Sequence, residues 1–241
     1  MVIYHYHLTG LKRILSIIVF CLILTDTFAQ KKVLNTPTYD LDPLHFGFTV
    51  GFNRMDFFVY NSGKMYLLDT VFAVNAISQA GFHTGIVSNL RLAKYLDLRF
   101  IPEISFGQRN VDYLIWKENH FQKKLMKIES TFLEFPLTLK YKAKRINNYR
   151  PYLLGGFSYR RDLSAQKEIK EEDKPKIRLE QNDFYYELGF GVDYYLPFFK
   201  FSTEIKYCIG FNNIVVPDNS EYTKSIEKLV SNILVVSFHF E

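Results

Sequence analysis

From His45 onward, hydrophobic and polar positions alternate with a period of two. Phe46, Phe48, Val50 and Phe52 fall on one side of the chain and His45, Gly47, Thr49, Gly51 and Asn53 on the other, the pattern of a β-strand with one apolar face. The alternation returns with Phe82, Ile86, Leu90 and Leu92 against Gly81, His83, Gly85, Asn89 and Arg91. A third segment sets Leu96, Leu98, Phe100, Pro102, Ile104 and Phe106 against Asp97, Arg99, Ile101, Glu103, Ser105 and Gly107, and a fourth sets Leu133, Phe135, Leu137, Leu139 and Tyr141 against Glu134, Pro136, Thr138, Lys140 and Lys142. In the fifth, Leu153, Phe157 and Tyr159 oppose Gly156, Ser158 and Arg160. Tyr186, Leu188, Phe190, Val192 and Tyr194 oppose Tyr185, Glu187, Gly189, Gly191 and Asp193 in the sixth, and Phe199, Phe201, Ile205, Tyr207 and Ile209 oppose Lys200, Ser202, Glu204, Lys206 and Cys208 in the seventh. The eighth places Leu234, Val236, Phe238 and Phe240 against Val235, Ser237, His239 and Glu241.

The predicted connections alternate in length. Residues 93–95, 143–150 and 195–198 are short links, whereas 58–79, 109–129, 161–182 and 212–229 are long and polar or mixed. An even strand count with alternating short and long connections is the layout of an outer-membrane barrel, short turns in the periplasm and long loops outside. The predicted fold is therefore all-β, an eight-stranded antiparallel transmembrane outer-membrane β-barrel in the cell outer membrane. Pro102 and Pro136 sit at similar height on consecutive strands, and a residue without an N–H predicts a bulge or a thinned ladder there.

Upstream, Lys12 and Arg13 precede an apolar run from Ile14 to Leu24 broken only by Ser16, and Thr27-Phe28-Ala29 offers the small residues of a cleavage site. Such a run is too short for a spanning helix and reads as a signal peptide over residues 1–29. Residues 30–43 then form a periplasmic N-terminal segment and 44–241 the barrel domain. Cys21 follows the bulky Phe20, which argues against a lipoprotein anchor.

Composition sharpens the choice of faces. The 241 residues include 23 Phe and 17 Tyr but one Trp, with a formal charge of +5 and a mean hydropathy of -0.08. Repeated apolar runs of a helical membrane protein are absent from the sequence. Cleavage would leave Cys208 as the sole cysteine, so no internal disulfide is expected despite export, and no Cys-x-x-Cys or His-Glu-x-x-His spacing suggests zinc. A soluble barrel would turn its apolar face inward; the reading adopted here turns it to lipid, because glycines concentrate on the polar face and aromatics near the strand ends. The lumen then holds Arg99, Glu103, Glu134, Lys140, Arg160, Glu187, Asp193, Glu204 and Lys206, which must pair with one another as a structural network.

The stretches Leu44 to Phe57 (LHFGFTVGFNRMDF), Asn89 to Arg109 (NLRLAKYLDLRFIPEISFGQR), Pro136 to Gly156 (PLTLKYKAKRINNYRPYLLGG) and the ending SFHFE at Ser237 to Glu241 resemble the PorT family of outer-membrane barrels from the type IX secretion (Por) apparatus of Bacteroidetes. The resemblance implies a non-enzymatic, cofactor-free component needed for protein export and, in gliding species, for secretion of motility adhesins. Its expected partners are outer-membrane lipids, the barrel insertion machinery and other type IX secretion components, with no nucleic acid. Phe238 and Phe240 look like an assembly signal, although Glu241 follows the last aromatic.

Further side chains are candidates for more than folding. His45 and His239 are expected as neighbours at the periplasmic ends of the first and last strands, a cation site or pH latch with Glu241 nearby; two hydrogen-bonded lumen histidines are the plainer alternative. Lys142, Lys144, Arg145 and Arg150 make a basic periplasmic turn, for lipid phosphates or a partner, or simply solvated. In the second long loop Trp116, His120, Phe121, Lys123, Lys124 and Lys127 are candidates for lipopolysaccharide or a secretion subunit, and Lys167 to Arg178 reads as a solvated charge run. Two rival functions stay open: a small surface barrel for adhesion or membrane stabilisation, and a barrel enzyme. The second lacks Ser and Asp partners in register with His83 or His120.

Overall fold

The computed structural model describes residues 33–63, 71–165, 177–218 and 220–241. The expected leader and residues 167–176 of the charge run lie outside them.

Alternation becomes strand throughout the chain: β1 (Leu44–Asn61), β2 (Val71–Ala93), β3 (Leu96–Phe100), β4 (Glu103–Lys117), β5 (His120–Lys142), β6 (Tyr149–Asp162), β7 (Asn182–Tyr195), β8 (Lys200–Gly210) and β9 (Ile226–Phe240). Every pairing is antiparallel, and β1 bonds both β2 and β9, which closes the sheet into a ring. β3 and β4 are two halves of one stave, so the ring has eight staves. The break falls at Ile101-Pro102, beside Pro136 on β5. Neither proline can donate to the ladder, and the seam is held instead by Ile101 N–H on the Pro136 carbonyl at 3.4 Å and Ile86 N–H on the Pro102 carbonyl at 3.0 Å.

Two of the expected long connections are largely strand. β1 runs on to Asn61 and β2 begins at Val71, while β4 and β5 continue upward to a tight turn at Glu118-Asn119. Both turn residues have positive φ, 53° and 64°, the twist a two-residue hairpin requires. Glu-Asn is a weaker turn signal than Asn-Gly, and the strand ends it joins carry lysines on the outer face.

The faces explain why those ends escape a search for apolar-out alternation. On β5, Leu133, Phe135, Leu137, Leu139 and Tyr141 point outward, and Glu134, Thr138, Lys140 and Lys142 are buried inside. Farther up the same strand Lys127 and Glu129 point outward while Met126 and Phe132 are buried. β1 inverts in the same way: Phe52 is outward and Asn53 inward, then Arg54 is outward and Met55 inward. A strand leaving hydrocarbon for water must exchange its faces, because its outside now meets water and its inside must supply the apolar core. The belt from Leu133 to Tyr141 matches the ~9–11 residues a tilted strand needs to cross a bilayer.

Above the belt, Phe57, Val74, Val111, Tyr113, Ile115 and Met126 pack with Ile177, Leu179, Ile214 and Val215 from the outer connections. Aromatics ring both borders of the belt: Phe48 stacks on Phe240 with centroids 4.8 Å apart on the periplasmic side, and Tyr159 meets Phe184 at 5.3 Å on the outer side.

Candidate functional site: a filled lumen and a capped periplasmic mouth

The inward side chains of the belt form a continuous polar column. Arg160 on β6 bridges Glu134 on β5 at 2.9 Å and Glu187 on β7 at 3.0 Å. Lys206 on β8 joins the same Glu187 at 2.9 Å and lies 3.8 Å from Glu103 on β4. Nearer the periplasm, Arg99 holds Glu204 at 3.0 Å, and Lys140 holds Asp193 at 2.7 Å while lying 3.7 Å from the centre of the Tyr152 ring. Tyr152 donates to Glu204 at 2.9 Å. A Cβ on Gly191 would overlap the Tyr152 ring, so this glycine makes room for a large lumen side chain.

All nine residues expected in the lumen network, Arg99, Glu103, Glu134, Lys140, Arg160, Glu187, Asp193, Glu204 and Lys206, are thus brought together and buried. At the column's upper end Arg109 pairs with Asp162 at 3.0 Å, its guanidinium lying 4.6 Å from the centre of Phe57 and 4.9 Å from that of Phe132. Periodicity places Arg109 inward only when β4 is read past Gly107, which its position in an expected loop discouraged.

The two histidines do not meet. His239 lies opposite Thr49, four positions along β1 from His45, because β9 ends at Phe240 opposite Phe48. His239 Nε2 is 3.3 Å from Glu204, whereas His45 bonds the Tyr39 carbonyl at 2.8 Å and stacks on the Tyr39 ring. The latch is therefore corrected to two separate contacts, and among the described residues no cluster of three or more potential ligands is placed for a metal.

The basic turn is also corrected. Lys142 is buried against Asp97 at 2.5 Å. Arg150 binds Asp40 at 2.8 Å, and Arg145 donates to the Asn35 carbonyl at 2.5 Å and to Asn148 Oδ1 at 2.9 Å. Of the four, only Lys144 is exposed. The partner of this turn is the chain's own N-terminal segment, which the turn straps across the periplasmic mouth. There a short 3₁₀ turn, Tyr39–Leu41, inserts Tyr39 between His45 and Tyr195, with its hydroxyl donating to Glu241 at 3.3 Å. Burial, reinforced by the Glu241 and Asp193 carboxylates, pushes the Tyr39 hydroxyl well above the usual tyrosine range. Glu241 also accepts from Lys200 at 2.8 Å and from Arg99 at 3.0 Å.

The second-loop candidates stand on the β4–β5 hairpin: Trp116 packs edge-on to Phe121 at 4.7 Å, Lys124 donates to the Tyr222 hydroxyl at 3.2 Å, and Lys123 and Lys127 are exposed.

A closed antiparallel ring, an apolar belt between aromatic borders and a charged interior define an integral outer-membrane β-barrel. Residues 28–216 match the family model described as outer membrane protein beta-barrel domain, and the chain belongs to that family. Its place is accordingly the outer membrane. No curated protein matches the chain. Among solved structures its fold is similar to that of Neisserial surface protein A (13% identity, TM-score 0.42, covering 83% of this chain and 99% of that one). It is also similar to OprG of Pseudomonas aeruginosa (14%, 0.43, 82% and 95%) and to Ail, the attachment invasion locus protein of Yersinia pestis (10%, 0.36, 83% and 98%). At these identities the likeness concerns the fold alone.

Proposed function

We propose that this barrel is a PorT-like, non-enzymatic accessory of type IX protein secretion that supports or assembles the export apparatus and is not its conduit. The observation that carries the second half of the reading is the column of ion pairs from Arg109 to Glu241, closed below by the Tyr39 strap. An eight-stranded lumen has room for its own side chains and little else, and a folded cargo cannot displace buried, paired charges at an acceptable cost. The secretion half rests on the sequence resemblance. Its partners on this reading are outer-membrane lipids, the insertion machinery and other secretion components.

Deleting the gene tests it. Accumulation of secreted cargo in the periplasm, reversed by the wild-type gene, is the expected result; normal secretion overturns the reading. The rival, a surface barrel for adhesion or membrane stabilisation, draws on the β4–β5 hairpin standing above the belt, and it predicts intact secretion with altered attachment or detergent sensitivity.

A further inference from the structure

Glu103 on β4 and Glu134 on β5 are direct cross-strand partners, and both are buried in the lumen. Like charges set opposite one another on adjacent strands destabilise the pairing. The ladder is also thinned beside them. Ile101 N–H reaches the Pro136 carbonyl at 3.4 Å, and Pro136 has no N–H with which to return the bond.

The cations at this height are already committed. Arg160 on β6 spans Glu134 and Glu187, at 2.9 and 3.0 Å, and Lys206 on β8 sits 2.9 Å from Glu187. Among the described residues Glu103 has Lys206 alone as an ion-pair partner, at 3.8 Å, too long for a hydrogen bond. The other titratable groups facing this layer supply no further cation. Glu204 on β8 takes Arg99 at 3.0 Å, with His239 on β9 at 3.3 Å, and the Cys208 thiol donates to Glu187 at 3.5 Å. His83 on β2 meets Ser237 through Nε2 at 3.0 Å, and its buried Nδ1 has no partner, so a charged ring there would strand an N–H. Three carboxylates, Glu103, Glu134 and Glu187, therefore face two cations in a buried layer, where an uncompensated charge is costly.

We propose that Glu103 and Glu134 share one proton at neutral pH, the Glu103 carboxyl donating to the Glu134 carboxylate across the β4–β5 seam. The proton balances the layer and supplies a cross-strand donor beside the bond that Pro136 leaves unmade. Glutamates of an unfolded chain titrate at about 4.3. Above that value the folded barrel holds one proton more than the unfolded chain, so this layer's contribution to stability falls as pH rises.

The test uses the full-length protein folded in short-chain phospholipid vesicles. Infrared spectra at neutral pH are expected to show the carbonyl band of a protonated carboxyl, and Glu103→Gln and Glu134→Gln are each expected to abolish it. The amide introduced by Glu103→Gln mimics the neutral acid. The folding constant of that variant relative to wild type is expected to rise about tenfold per pH unit between about pH 5 and 7, the linkage of one proton. An ordinary ion pair between Glu103 and Lys206 gives the opposite result, a loss of stability by the same factor across that range. No band in wild type, a band that survives either substitution, or a ratio that is flat or falls with pH would each overturn the proposal.

Discussion

Arg99 on β3 reaches the carboxylate of Glu241 at 3.0 Å, joining the third stave to the residue that follows β9. Lys200 shares that carboxylate at 2.8 Å and Tyr39 donates to it. The extra residue after the last aromatic is therefore a lumen anchor, and removing its charge takes the carboxylate from Lys200 and leaves Arg99 with Glu204. Glu241→Gln is expected to destabilise the folded barrel by about 3–5 kcal/mol, the usual cost of breaking a buried pair, read as a lower urea midpoint of the heat-modifiable band on an unboiled gel.

Arg160 serves two carboxylates, so its loss is expected to be expensive and conditional. Arg160→Met leaves Glu134 and Glu187 facing each other across the column and costs about 3–5 kcal/mol. Adding Glu134→Gln to that variant removes one stranded charge and is expected to recover more than 1 kcal/mol, a coupling a double-mutant cycle would resolve. Additive effects would show that the pairs do not act together.

The lipid face was the most legible part of the chain. Alternation at Phe46 to Phe52 or Tyr186 to Tyr194 is read at a single period, and the belt residues are where that reading puts them. What escaped it lies where the physical rule changes. At Arg54-Met55 and between Lys127 and Phe132 the apolar side moves from outside to inside, so a search for apolar-out alternation ends the strand there and assigns a loop. Register was a second blind spot: that His239 faces Thr49 and not His45 depends on the stagger of β1 against β9. The basic turn reads as solvated or as open to lipid or a partner, because the N-terminal acceptors of Arg145 and Arg150, Asn35 and Asp40, lie more than a hundred positions away.

The belt makes its own prediction. Leu188 on β7 is outward and mid-belt, and Leu188→Arg is expected to cost about 2–4 kcal/mol in bilayers. Leu125→Arg, outward on β5 but above the belt, is expected to change stability by less than ~0.5 kcal/mol. Equal costs at the two positions would place the membrane elsewhere on the barrel.

The periplasmic strap should respond to alkali. The folded protein keeps Tyr39 protonated to higher pH than the unfolded chain does, so this residue's contribution is complete below the ordinary tyrosine value of about 10 and is lost as pH rises above it. The stability difference between wild type and Tyr39→Phe is expected to hold constant from pH 7 to about 10 and then shrink. A difference that is flat through pH 12 would mean that the hydroxyl is not engaged.

The exchange of faces on β1 and β5 also bears on how the molecule reaches its destination. Arg54, Lys127 and Glu129 point away from the barrel beyond the far border of the apolar belt, so each must traverse hydrocarbon on the way in. At ~2–4 kcal/mol for each basic group at the midplane, unassisted insertion faces a barrier that grows with bilayer thickness, and short-chain lipids should admit this protein far faster than long-chain ones.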